Sequence, residues 1–179
     1  QTPNYIPTDG LVAYYPFCGD VNDLSGNELD GTAQGALLHE GFDGTENSSY
    51  SLDGIDDYLS FPSGIDNELN TPNDYSYSYW MKSEGGVGNN GGLQLSFGDN
   101  VSNGGGFNSG INLCNVGLGI LGVSGNNISC YASNQNNLED GSWHQITVTY
   151  NDGLLTLFLD GALDNQFENT LPTPSWAGN

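Results

Sequence analysis

"GSWHQITVTYNDGLLTLFLDG" occupies residues 141–161. Its first half alternates strictly: Ile146, Val148 and Tyr150 on one side, Thr147 and Thr149 on the other. Period-two alternation of this kind describes a strand with one buried face. Asp152 and Gly153 interrupt it, and a second apolar run, residues 154–159, follows before Asp160 and Gly161. Asp-Gly between two β-type runs favours the positive backbone φ angles of a tight hairpin turn. The stretch therefore predicts two antiparallel strands and a turn into a third.

The same grammar extends outward. Asp-Gly recurs at Asp9, Asp30, Asp43, Asp53 and Asp140, and Asn-Gly at Asn90 and Asn103. Between these turns lie short β-type runs at 11–17, 50–54, 58–62, 75–82, 93–98, 111–123 and 128–133. In the fourth, Tyr75, Tyr77 and Tyr79 share one face, with Ser76, Ser78 and Trp80 on the other. No segment carries a helical stripe; one helical turn is expected near 64–70, capped by Ser63 or Asp66. The pattern predicts an all-β, antiparallel β-sandwich or barrel. The Gly- and Asn-rich stretch 84–110 reads as hairpin loops or a ligand rim. A length of 179 residues favours one domain; residues 1–9 read as a connecting segment and 10–179 as the domain.

One cation, Lys82, faces 22 acidic groups, for a net charge of -21. Such a chain repels phosphate, so nucleic acid is not expected as a partner, nor is an anionic membrane surface. Divalent cations and neutral or cationic ligands such as sugars are compatible with it, and the charge also serves solubility. Ten Tyr, seven Phe and three Trp mark a folded chain rather than a disordered acidic one. No apolar run reaches the length of a membrane span. The chain begins with Gln1, which leads us to expect a processed, secreted protein or a fragment of one. Of three cysteines, Cys114 and Cys130 flank a predicted hairpin and are expected to pair in an oxidising compartment, leaving Cys18 over.

Three stretches, in order, resemble the concanavalin A-like lectin/glucanase superfamily, and more narrowly its bacterial laminin-G-like (LamG) domains. They are "GLVAYYPFCGDVNDLSGNELDGT" (10–32), "YSLDGIDDYLSFP" (50–62) and the 141–161 stretch. The resemblance implies a jelly roll of two curved antiparallel sheets. It also implies strands beyond the position of Asn179, so the chain is expected to lack its C-terminal strands and to be open to strand donation or self-assembly.

Bound Ca²⁺ is frequent in domains of this resemblance. Calcium takes about six to eight oxygens from a bent loop, and 20–31 is rich in them. This is no EF-hand loop: Glu28 stands where that motif needs Gly, and Gln34 where it needs Glu. The resemblance points to Asp23 and Asn27, joined by Asp20, Asn22, Ser25 and Asp30. The alternative is a loop whose side chains bond their own backbone. Asp53, Asp56 and Asp57 crowd a second turn, with Asp57 the metal candidate there; the alternative is a solvated turn in which Asp57 accepts backbone hydrogen bonds.

Trp143 reads as a core anchor, and His144 has no Ser or Cys nucleophile in a recognisable motif. Glycoside hydrolases of this superfamily set two carboxylates on one strand face, whereas the acids here cluster in turns. With one Lys and no Arg, lyase chemistry on a uronate fits poorly. The chain is expected not to be an enzyme. The expected function is a calcium-binding module of a secreted bacterial cell-surface protein that binds carbohydrate or mediates adhesion, with Tyr75, Tyr77, Tyr79 and Trp80 as ligand-contacting candidates. A protein–protein module, or a self-assembling element of a surface filament, is the other expectation.

Overall fold

A computed structural model describes residues 3–62, 65, 74–83, 94–100, 105–111, 121–124, 131–135 and 137–168. The chain forms two compact units, residues 1–69 and 70–179.

The second unit is built on the opening hairpin. Strand β10 (Trp143–Asn151) pairs with β11 (Leu154–Leu159), and β11 with β12 (Ala162–Glu168). Both connections are two-residue Asp-Gly turns. Asp152 and Gly153 have φ of 40° and 92°, Asp160 and Gly161 of 50° and 77°, the geometry whose twist matches paired strands. On its other flank β10 pairs with β5 (Asp74–Lys82), giving a sheet of order β12-β11-β10-β5. A second four-stranded sheet runs β6 (Gln94–Asn100), β7 (Gly105–Ile111), β8 (Leu121–Ser124), β9 (Tyr131–Ala132). All pairings are antiparallel.

Register places the core. Ile146 lies opposite Tyr79 and Leu159, Val148 opposite Tyr77 and Leu157, and Tyr150 opposite Tyr75 and Leu155. Directly opposed residues project to the same face of a sheet. That face is buried together with Met81, Leu138 and Tyr131 of the second sheet, and the Tyr131 and Phe167 rings meet at 4.8 Å. Each such side chain removed from water contributes about 1.5–3 kcal/mol. The opposite face carries Ser76, Ser78, Trp80, Gln145, Thr147, Thr149, Thr156, Phe158 and Gln166 by the same register, and with them Trp143, which stands on this face and not, as the sequence suggests, with the core cluster.

The first unit holds two two-stranded antiparallel sheets. One pairs β1 (Thr32–Gln34) with β4 (Tyr58–Ser60), the other β2 (Leu37–His39) with β3 (Ser49–Ser51). Apart from Ile65, which is helical, all regular structure among the described residues is strand; the rest of the turn expected at 64–70 lies outside them. No helix of the described residues is long and apolar enough to cross a membrane. The all-β antiparallel fold is thus as the sequence predicts.

Two local expectations change. Strand β6 answers the β-type run at 93–98, but β7 also runs through the Gly- and Asn-rich stretch, because a ladder is made by backbone groups and tolerates small side chains once paired. Residues 11–17 join no strand ladder among the described residues, for a reason given below.

Leu157→Ala should cost about 2–5 kcal/mol by chemical denaturation, the range for emptying a fully buried site. Ser76→Ala, on the other face, should change stability by less than about 0.5 kcal/mol. Equal costs would overturn the assignment of faces.

Candidate functional site

Among the described residues, segment 11–17 is held by side chains and not by a neighbouring strand. Asp23 Oδ1 accepts the Tyr14 N–H at 2.9 Å and the Ser25 N–H at 2.8 Å. Asp23 Oδ2 accepts the Ser25 hydroxyl at 2.7 Å and the Leu29 N–H at 3.2 Å. The Asn27 amide donates to the carbonyls of Leu11 and Val12 at 3.0 and 2.8 Å. Among the described residues, the Leu24 N–H to Tyr14 carbonyl bond, 2.9 Å, is of the backbone kind a ladder would use. An extended strand must satisfy its backbone groups somewhere; here the loop's polar side chains supply the partners.

This arrangement bears on calcium. A carboxylate offers about four lone-pair sites, and Asp23 fills that number with protein donors. Asp20 accepts the N–H and the side-chain amide of Asn22 at 3.1 and 2.7 Å, and Asp30 accepts the Asp23 N–H at 2.9 Å. The Ser25 hydroxyl donates to Asp23 and accepts the Asn27 N–H at 3.2 Å. The set Asp20, Asn22, Asp23, Ser25, Asn27 and Asp30 is therefore brought together, with the Asp23 carboxylate occupied by protein donors while Asp20 accepts two and Asp30 one. Burial alone would push the Asp23 carboxyl up, yet the donors from Ser25, Tyr14 and Leu29 outweigh it and hold its pKa below 3.8. Tyr15, whose hydroxyl donates to the Leu29 carbonyl, is pushed up to about 12 by burial and by the charges of Asp23 and Asp30.

The second acidic turn differs. Asp53, Asp56 and Asp57 each present a carboxylate oxygen within 4.8 Å of the others. Asp53 Oδ1 accepts the Ile55 N–H at 2.8 Å, and Asp57 Oδ2 accepts the Asp53 N–H at 2.9 Å. Asp57 also packs on Gly35, at φ 74°, where an added Cβ would fall 1.8 Å from Asp57 Oδ1. Three like charges at this spacing repel by about 1 kcal/mol per pair even in water, a repulsion that a divalent cation would relieve.

The aromatic candidates separate. Tyr75, Tyr77 and Tyr79 pack against the core cluster, and burial pushes the Tyr75 hydroxyl pKa up. Trp80, 40% exposed, stands on the opposite face, opposed to Gln145. Beside it the Ser78 and Thr147 hydroxyls lie 2.8 Å apart. Gln166 donates to the Thr156 hydroxyl across the same face at 3.2 Å. Cys18 is exposed with a free thiol; Cys114 and Cys130 lie outside the described residues.

One constellation escaped the sequence reading. His144 Nδ1 lies 3.0 Å from Asp160 Oδ2, and Nε2 lies 3.3 Å from Asp140 Oδ1. Asp160 Oδ1 accepts the Gln145 N–H at 2.8 Å, and Asp140 Oδ1 accepts the Ser142 N–H at 2.7 Å. The three line an open cleft of about 380 Å³ with Asp164, Leu159 and Leu163. The signal was available: folding the hairpin about Asp152 and Gly153 sets residue 160 beside residue 145, next to His144.

A second carboxylate spacing was also missed. Asp164 and Glu168 stand four apart within β12. The ladder shifts register between Leu157 and Phe158, opposite Asp164, while Glu168 pairs with Leu154. Asp164 Oδ2 accepts the Asn134 N–H at 3.0 Å, and the adjacent Asn165 amide reaches the Ala132 carbonyl. Adjacent side chains thus go to the same neighbour, which is the mark of a bulge. Glu168 is exposed at the strand's end.

Among known families, the Laminin_G_3 model, described as concanavalin A-like lectin/glucanases superfamily, matches residues 53–179. No curated protein and no solved structure matches the chain.

Asp23→Ala should destabilise the chain by about 2–4 kcal/mol, since it strands three backbone donors, and equally in calcium and in EDTA. Because the folded-state pKa is lowered, the Asp23 contribution is present above 3.8 and fades as pH falls through the folded value. The gap between wild type and variant should close on acidification. A gap that opens only with calcium would restore the loop as a metal site.

Proposed function

We propose that this chain, which belongs to the concanavalin A-like lectin/glucanase superfamily, is a non-catalytic carbohydrate-binding module of a secreted, cell-surface protein. The observation that carries the reading is the outer face of the β12-β11-β10-β5 sheet. There Trp80 is exposed among Ser76, Ser78, Gln145, Thr147 and Thr149. Sugars present C–H faces that pack on an aromatic ring, and hydroxyls that both donate and accept. A face that sets hydroxyls and amides beside the aromatic rings of Trp80, Trp143 and Phe158 meets both demands, and the net charge of -21 selects neutral or cationic glycans over anionic ones.

The bulge in β12 supports the non-catalytic part of the reading. Glycosidase chemistry needs two carboxyl groups converging on one bond, and Asp164 is tied to Asn134 while Glu168 stands at the strand's exposed end.

Calcium belongs to the proposal at the second turn. Asp53, Asp56 and Asp57 would hold the ion, which would neutralise their mutual repulsion and so stabilise the turn before β4. A second reading, self-association, is favoured by the exposed apolar side chains Leu37, Phe42, Ile55 and Tyr58 of the first unit; concentration-dependent sedimentation without glycan would mark it.

Binding to a panel of neutral polysaccharides should fall at least about tenfold in Trp80→Ala, a loss of about 1.4 kcal/mol, with the melting temperature unchanged. Unaltered binding in that variant would remove the face from consideration. In 1 mM CaCl₂, a probe concentration about a hundredfold above a ~10 µM Kd, the ion should stabilise the protein by about 2.7 kcal/mol. EDTA and Asp56→Asn should each abolish the gain.

A further inference from the structure

We propose that His144 is a pH-operated clasp: as an imidazolium bridging Asp140 and Asp160, it pins the turn before β10 and the β11–β12 turn onto β10, and it lets go on losing its proton. This goes beyond the binding function and does not depend on it.

The geometry requires the charged form. Both ring nitrogens lie within hydrogen-bond distance of carboxylate oxygens, at 3.0 and 3.3 Å. A neutral imidazole has one N–H and one bare nitrogen, so it can donate to only one of them, and its lone pair would face the other carboxylate. An imidazolium donates to both. The carboxylates are themselves anchored by backbone: Asp160 by the Gln145 N–H and Asp140 by the Ser142 N–H. They cannot turn away when the proton leaves without breaking those bonds. Asp160 in addition donates its own N–H to the Gln145 carbonyl at 2.9 Å, so its carboxylate and backbone close one ring with β10.

Among the described residues, the cleft adds further negative charge beside the ring. Asp164 of β12 lines the same cleft, and β5 sets the apolar Met81 opposite His144. Burial of the ring disfavours its charge, but the hydrogen bonds and charges of Asp160 and Asp140 outweigh that and raise its pKa above 6.5. A raised folded-state value fixes the sign: the stabilisation is fully present below 6.5 and disappears as pH rises through the folded pKa. The side chain is 14% exposed, its partners 37% and 49%, so salt screens the clasp only in part.

The test uses the whole chain in a His39→Gln background, which leaves His144 as the sole histidine. Long-range ¹H–¹⁵N spectra should show both ring nitrogens protonated at pH 6 and a titration midpoint above 6.5. The melting temperature should fall by about 2–4 °C between pH 6 and the far side of that midpoint, the response of a chain this size to one modest interaction. His144→Gln and Asp160→Asn should each flatten that fall. A midpoint at or below 6.5, or a His144→Gln profile that follows the wild type, overturns the clasp. The spectra decide the matter even where a variant does not fold.

Discussion

Strand β10 is hydrogen-bonded on both flanks, to β5 and to β11, and its alternation governs both faces of the sheet. A slip of one residue would carry Ile146, Val148 and Tyr150 out of the core and bring Thr147 and Thr149 into it. Correct register likewise determines that Tyr75, Tyr77 and Tyr79 face inward and Trp80 outward. The two Asp-Gly turns hold that register, since a two-residue turn of this type leaves one choice of pairing. Core, outer face and the meeting of His144 with Asp160 all follow from it.

A chain with 22 acids and one lysine cannot balance its carboxylates with side-chain cations. It uses backbone instead. Asp20, Asp23, Asp43, Asp53 and Asp140 each accept the N–H two residues ahead, in Asn22, Ser25, Thr45, Ile55 and Ser142. The carboxylate replaces a carbonyl as acceptor and holds a turn without a ladder. In Asp43 and Asp140 this donor is the leading cause of a pKa below 3.8. Much of the acidity is thus structural grammar, each unit local and independent of long-range pairing.

What could be read in advance follows from what each inference needed. Strand alternation and Asp-Gly turns are local, and they gave the all-β antiparallel fold and the hairpin. The exposure of Trp80 needed knowledge of which face of 75–82 meets Ile146 and Val148, and no alternation states that by itself. Residues 11–17 form a continuous apolar and aromatic run that reads as a strand, yet their partners are side chains of Asp23, Ser25 and Asn27, which composition cannot distinguish from free metal ligands. The same oxygens serve either role; only the direction of each hydrogen bond separates them. His144 was dismissed for want of a nucleophile, although its partners are structural.

On the proposed reading, charge and contact divide the work of recognition. The field of the acidic chain acts beyond contact, but at physiological salt it decays over about 8 Å. It therefore governs which ligands approach, disfavouring sulfated and uronate glycans, and adds little to discrimination among neutral ones. That discrimination falls to the outer face, where Trp80 lies between Ser78 and Lys82 on β5 and opposite Gln145. The centre of this face bears hydroxyls, an amide and the Phe158 ring and no carboxylate, so a bound sugar exchanges hydrogen bonds with water at little net cost. Such a face yields modest affinity per site, and affinity then rises through repetition along a polymer or across copies. A module of this kind suits a surface that must hold an extended glycan at many weak points.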